Sequence, residues 1–394
     1  MRILYVAMRH DYGKPEQGLS FEHCNFYDSL VHMGHTILYF DFMALLAERG
    51  RDAMNRRLLE VARAEKPDLV FTVLFDDQLD PAVVRRLSEA GGAVSLNWFC
   101  DDQWRFDNFS SRWTPCFDWV VTTAASALAK YERAGLRNVI KSQWACNHFM
   151  YRRRADLPLR HDITFVGQPH GNRREVIETL RRAGLDVQVW GQGWDTGRLS
   201  QEQMIEVFNQ SRINLNLGKA SSPPRTSRPR GWRRVRRNAG RVLRTVVGGL
   251  GLRRVARKSL AAIGAARRPA GLPLDAALEE GATPGQIKGR NFEVPGCGGF
   301  LLTDPAEDLE RYFTPDREVV LYRTLRELID KARHYLEHEE ERAAIAAAAY
   351  ERTLREHTYV HRFSEIFRAA GLPAERPEEV LARPPRAGET VEIH

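Results

Sequence analysis

The stretch GRNFEVPGCGGFLLTD, Gly289 to Asp304, sets a carboxylate, Glu293, on a short turn that runs through a proline and three glycines into an apolar strand. Glycine lets a backbone come close to a partner, and helix starts commonly hold phosphate groups. A phosphate-bearing ligand is therefore the first expectation. Lys288 and Arg290, just before Glu293, bring cationic donors to a diphosphate, and the first helical turn adds its own positive field. Glu293 cannot serve a phosphate; it is suited to accept hydrogen bonds from vicinal hydroxyls such as a ribose presents. The plain alternative is a surface salt bridge with a nearby arginine.

Two further carboxylates, Asp101 and Asp102 in NWFCDDQWRF, directly follow an apolar strand. Facing a cleft, a carboxylate there can act as general base toward a hydroxyl; a helix cap or a structural carboxylate is the alternative. Asp76, Asp77 and Asp80 in VLFDDQLD also follow a strand, in a pattern that could hold a divalent ion against a diphosphate. His23, His32 and His35 fall at the ends of a helical stretch, where capping or packing is the commoner use. The five cysteines are scattered and never form a CxxC pair, so buried thiols are expected in place of a disulfide framework or a zinc site.

The elements that must position these residues repeat one theme. RILYVAM, HTILYFD, PDLVFTVLF, AVSLNWF, FDWVVTT and NVIKSQ read as short buried strands, separated by amphipathic helical patterns such as AMNRRLLEVARAEK. That alternation implies a parallel sheet with helices on both faces, a Rossmann-like domain over residues 1–152. After a basic link the alternation restarts with DITFVGQ, NRREVIETLRRAG, LDVQVWGQG and RINLNLG, giving a second domain over 160–356. The fold class is α/β, two doubly wound domains facing a cleft, with ligands at the carboxyl ends of the strands. Residues 357–371 read as a C-terminal helix, and the Pro- and Glu-rich residues 372–394 as a disordered tail.

The second domain is interrupted by residues 220–284. Sixteen of the 59 Lys and Arg residues fall between Lys219 and Arg268, which holds no Asp or Glu; the rest of the chain, with 43 basic and 51 acidic residues, is net −8. Arguments about polyanions thus concern this segment alone. Its helical spacing of Trp232, Val235, Val242, Val246 and Leu250 between arginines suits an anionic membrane surface over 220–268. A solvated insert and nucleic-acid contact are the alternatives, and no nucleic acid is expected. No stretch approaches the ~18 continuous apolar residues of a membrane span, and MRILYVAM runs at once into charged residues, unlike a secretory signal. A cytoplasmic protein, peripheral at the inner face of the membrane, is expected.

KGRNFEVPGCGGFLLTD together with LRELIDKARHYLEHEEERAAIAAAAYERTLREHTYVHRFSEIF, DITFVGQPHGNRREVIETL and LNWFCDDQWRF resembles the CgeB-like branch of group 1 glycosyltransferases, over most of the chain. The resemblance implies the GT-B fold and a transfer from a nucleotide-sugar donor. It places Glu293 at the nucleotide ribose, followed by Gly298, and Gly167 where loop N–H groups meet the diphosphate, with Arg173 shortly after. Trp190, Gly191, Gly193 and Trp194 fall beside the nucleotide base, on which an indole can stack. One departure is Gly285, where related retaining enzymes carry a second glutamate against the donor sugar. No metal is implied, because Lys288, Arg290 and helix dipoles stand in its place. VLFDDQLD resembles instead the acidic motif of the other major glycosyltransferase fold.

The expected function is metal-independent, hexosyltransferase-like transfer from a UDP-, GDP- or dTDP-linked sugar to a hydroxyl of a surface polysaccharide, lipid-linked glycan or protein. No other cofactor is expected. A noncatalytic nucleotide-sugar-binding protein, or a nucleic-acid-binding protein acting through the arginine-rich insert, is the alternative. An NAD enzyme is disfavoured, because RHDYGKPEQG after the first strand lacks a close-set glycine triplet.

Overall fold

The computed structural model describes residues 1–218 and 285–394. The basic insert, with the expectations placed on 220–284 and on 220–268, lies outside them.

Seven strands form the first sheet: β1 (Arg2–Val6), β2 (Thr36–Phe40), β3 (Leu69–Thr72), β4 (Val94–Phe99), β5 (Trp119–Thr122), β6 (Val139–Lys141) and β12 (Thr390–Glu392), in the order 12-2-1-3-4-5-6. Five form the second: β7 (His161–Val166), β8 (Val187–Trp190), β9 (Ser211–Asn216), β10 (Leu301–Thr303) and β11 (Val320–Leu321), in the order 11-10-9-7-8. All these pairings are parallel. Central strands such as Leu69–Thr72 are buried at every position, as a sheet covered on both faces requires. Helices between them begin where the sequence supplies a cap: Asp41, Asp80, Ser200 and Thr324 each accept a first-turn N–H.

The domains share chain as well as surface. The helix Tyr359–Ala369 follows the second domain yet packs on the first, with Phe363 against Phe26 and Phe71 at ring separations of 5.9 and 5.8 Å. Its entry is fixed by a backbone exchange: Cys146 N–H donates to the His357 carbonyl at 2.9 Å and Tyr359 N–H to the Cys146 carbonyl at 3.1 Å. At the same seam a Cβ on Gly296 would stand 2.2 Å from Cys146 Sγ, so glycine is what lets the helix Arg290–Gly296 approach the first domain.

The C-terminal residues correct the expectation of a disordered tail over 372–394. Pro377–Leu381 is helical with Val380 buried, and Thr390–Glu392 joins the first sheet as its edge strand beside β2. Tyr27 Oη and Thr390 Oγ1 lie 2.9 Å apart, Arg9 pairs with Glu392, and Gly388 N–H donates to the Val31 carbonyl at 3.1 Å. Hydropathy does not reveal this strand, because main-chain pairing with an open sheet edge needs few apolar side chains. Among the described residues no helix is long and apolar enough to cross a membrane.

Candidate active site

A cavity of about 680 Å³ lies between the domains, within the range usual for small-molecule sites. The second domain lines it with Val166, Gly167 and Gln168 at the end of β7, Gly191 and Gln192 beyond β8, and Arg290; the first lines it with Asp11, Glu16 to Leu19, and Cys24. Both strand ends arrive without bulk. A Cβ on Gly167 would meet Arg290 Nη1 at 2.9 Å, and one on Gly191, at φ +143°, would meet the Gly167 carbonyl at 2.5 Å. The two loops are stitched by Gly167 N–H donating to the Trp190 carbonyl and Trp194 Nε1–H to the Gly167 carbonyl, each at 2.7 Å. The result is a wall of backbone that a ligand can approach closely.

Two arginines line this cavity, Arg198, which pairs with Asp11, and Arg290. Arg290 opens the helix Arg290–Gly296, donates from Nη1 to the Val166 carbonyl and lies 5.7 Å over the Phe165 ring. Its Nε is buried without a hydrogen-bond partner. Burial lowers its pKa, an effect that Glu293 opposes. The first-turn N–H groups expected to meet an anion are spent locally, since Asn291 donates to the Lys288 carbonyl and Phe292 and Glu293 donate to that of Gly289.

Glu293, expected at a ribose, is not among the residues that line the cavity. It is 4% exposed and its Oε1 accepts from Tyr151 Oη at 2.9 Å. Burial raises its pKa to about 6, against the lowering effects of Tyr151, Arg290 and Asn25. The surface salt bridge offered as its alternative role is absent from this buried position.

Lys288 takes part in a relay across the cleft. Its Nζ donates to Gln286 Oε1 at 2.7 Å, while Gln286 Nε2 donates to Asp101 Oδ1 at 3.1 Å and to the Cys100 carbonyl at 3.0 Å. Burial lowers the Lys288 pKa and Asp101 opposes that. Asp101 therefore does reach the domain boundary. Asp102 does not: it is fully buried, accepting from Ser110 Oγ and, at 2.7 Å, from Tyr131 Oη. Burial raises its pKa despite these bonds. It is the structural carboxylate of the pair, turned inward because the chain enters a helix at that residue.

Other expected donor residues act on the site through the loops. Arg173 is 3% exposed, with Nε and Nη2 on the Leu217 carbonyl at 3.1 and 2.7 Å and Nη1 on the Gln168 carbonyl at 2.8 Å. Burial first, then Arg290, lowers its pKa to about 10. It braces the β7 loop and is not among the residues that line the cavity. Trp194 spends its indole N–H on Gly167, and Arg174 stands 4.6 Å over its ring. Trp190 packs edge-on to His161 at 5.5 Å. Neither indole lines the cavity; Gly191 and Gln192 do. Gly193, at φ +97°, carries the turn between them, and Gly298, at φ +72°, closes the helix against Arg153. Gly285, where a second glutamate was the comparison, pairs its backbone with Pro305 and Glu307 at 3.1 and 2.8 Å.

The acidic run has structural work. Asp77 accepts from Arg112 and Trp113, and Asp80 caps the helix Pro81–Gly91. His23 touches Tyr39 Oη at 3.1 Å and His35 touches the chain's amino group at 3.3 Å, both with pKa lowered to about 4 mainly by burial. Four of the cysteines are buried and all five are free.

Sequence reasoning missed several cleft residues. Tyr151 sits in the basic link between the domains and Gln286 just beyond the insert, and each is defined by a partner over a hundred residues away. Arg198 pairs with Asp11 across the cavity mouth. Glu22, beside Asp11 and Asp101, has its pKa raised to about 7, chiefly by burial; no motif marks it.

The architecture is that of a two-domain GT-B glycosyltransferase. The model of the glycosyl transferase-like family matches residues 172–233 and 230–368, half of the chain, and the protein belongs to that family. Among solved structures, HepE of Anabaena in complex with UDP-glucose superposes with a TM-score of 0.58 at 11% identity, over 94% of this chain and 99% of its own. Sucrose-phosphate synthase of Thermosynechococcus elongatus gives 0.53 at 11% identity, over 93% and 98%. At such identities the likeness bears on the fold. No curated protein matches by sequence.

Proposed function

We propose that this glycosyltransferase binds a nucleoside-diphosphate sugar in the interdomain cavity and transfers the sugar to an acceptor hydroxyl presented by the first domain. The observation that carries the reading is Arg290, a part-buried guanidinium on the cavity wall whose Nε–H is buried without a partner. A buried unpaired donor is costly unless a ligand oxygen accepts from it. A diphosphate offers such oxygens, and the side-chain-free loops at Gly167 and Gly191 allow it to come close. As the bond from the anomeric carbon to the diphosphate breaks, charge grows on the leaving oxygen, where Arg290 opposes it in a site of low dielectric. Asp101, at the boundary, is the group placed to take the acceptor proton in an inverting displacement.

The finer reading has the donor UDP-linked, which HepE's bound UDP-glucose supports. It has Arg290 and Lys288 in place of a divalent ion, and places the chain in the CgeB-like branch. The acceptor is a glycan of a surface polysaccharide or lipid carrier, which brings the protein to the inner membrane face.

Thermal stabilisation by UDP, GDP, dTDP, CMP, ADP and NAD tests the reading. A shift of several degrees with one nucleoside diphosphate, lost in Arg290→Ala, is expected. A shift with NAD alone would overturn it. Nucleotide binding with no release of free nucleoside diphosphate from any donor and acceptor would leave a binding protein in place of an enzyme.

A further inference from the structure

We propose that the first domain carries a saccharide subsite over Trp104, which holds a non-reacting unit of a neutral oligosaccharide acceptor. The inference rests on the glycosyltransferase reading above and specifies its acceptor. A second cavity, of about 780 Å³, lies wholly on the first domain and is lined by Phe75, Asp76, Trp104, Arg105 and Asn108 among others. Trp104 is 47% exposed, a large indole left in water where most aromatic side chains of this protein are buried. An aromatic face covers the C–H face of a sugar ring, while polar groups at its rim take the hydroxyls.

The rim is selectively unspent. Asp77 is engaged by Arg112 and Trp113, and Asp107 by Lys130 at 2.9 Å. The side chains of Asp76 and Arg105 have no ion-pair partner among the described residues, which leaves one carboxylate acceptor and one guanidinium donor beside the indole. Arg105 is held in place over the Phe109 ring at 3.9 Å. Three aspartates against two arginines line the cavity, a balance that does not favour an acidic sugar.

The cavity is connected to the reaction centre. Trp104 and Arg105 donate their backbone N–H groups to the Asp101 carbonyl at 3.2 and 2.9 Å, so the subsite is one helical turn from that carboxylate. On the other side Tyr12, 43% exposed, meets Phe75 edge-on at 5.4 Å. Its neighbour Asp11 lines the donor cavity. Tyr12, Phe75 and Trp104 thus form an aromatic track from the donor cavity outward, and an occupant that uses both ends is an extended chain.

The full-length protein, with and without UDP, would be applied to an array of immobilised neutral and acidic glycans, beside Trp104→Ala and Asp76→Asn. The expected result is binding to a class of neutral oligosaccharides, weakened about tenfold in Trp104→Ala, with the UDP-induced thermal shift unchanged. Binding that is equal in Trp104→Ala, confined to acidic glycans, or absent from the array altogether would overturn the subsite. The two readings fail separately: a missing UDP shift in the wild type speaks against the donor site, while glycan binding still decides the subsite.

Discussion

Tyr151 Oη donates to Glu293 Oε1 over 2.9 Å, so the last turn of the first domain holds the carboxylate of the second. Burial raises the Glu293 pKa from 4.5 to about 6. A carboxylate with a raised folded-state pKa holds protons that the unfolded chain has released, so its contribution to stability falls as pH rises from about 4.5 to about 6. The cost above that window is about 2 kcal/mol. Glu293→Gln removes it. Relative to wild type, the variant should gain about that amount between pH 4 and pH 7 in denaturant titrations, and a constant difference across that range would contradict the assignment. Tyr151→Phe should move the other way, losing about 1 kcal/mol at pH 7.

Gly191 holds φ +143° with the Gly167 carbonyl in the place of a side chain. Gly191→Ala should therefore destabilise by about 2 kcal/mol or more and distort the cavity wall. Trp194→Phe keeps the ring under Arg174 but removes the N–H that the Gly167 carbonyl accepts. A loss of about 1 kcal/mol is expected, with weaker nucleotide binding. Thermal melts with and without UDP measure both effects, and unaltered binding in both variants would exclude the loops from the site.

The adjacent aspartates should separate cleanly. Asp102→Asn disturbs a buried carboxylate that accepts from Ser110 and Tyr131, so a stability loss of about 1–3 kcal/mol is expected. Asp101→Asn should leave the melting temperature within a degree or so and lower transfer about a hundredfold or more, as loss of a general base does. Equal melting temperatures for the two variants, or full activity in Asp101→Asn, would reverse the roles.

The C-terminal strand should be structural. Deleting residues 387–394 removes the edge strand, the Arg9–Glu392 pair and the Gly388 bond. A lower melting temperature and faster proteolysis of the first domain are expected. An unchanged melt would show that the strand adds nothing.

What could be read in the residue order was what depends on local pattern. Runs such as TILYF and VSLNWF are buried at nearly every position, and two doubly wound parallel sheets follow from their alternation with helices; the GT-B fold is what the family resemblance implies. Of the motif, Gly167 and Arg290 meet on the cavity wall, whereas Glu293 is buried off it against Tyr151. The misjudged features depend on where a side chain points or on a distant partner. Asp101 and Asp102 are indistinguishable in sequence, yet one residue of helix separates the boundary from the interior. Trp194, expected beside the nucleotide base, does not line the cavity; its N–H goes to Gly167 and Arg174 stands over its ring. Tyr151, Gln286 and Thr390–Glu392 acquire their roles only from partners that folding brings to them.

The most direct measurement is calorimetric titration of UDP into the wild-type protein and into Arg290→Met, which removes the guanidinium but retains an unbranched apolar side chain. Saturable one-to-one binding that weakens about tenfold or more in the variant, the loss of one charge-assisted phosphate contact, is expected if the interdomain cavity holds the donor diphosphate. Equal binding of UDP by both proteins would contradict the placement of the donor at Arg290.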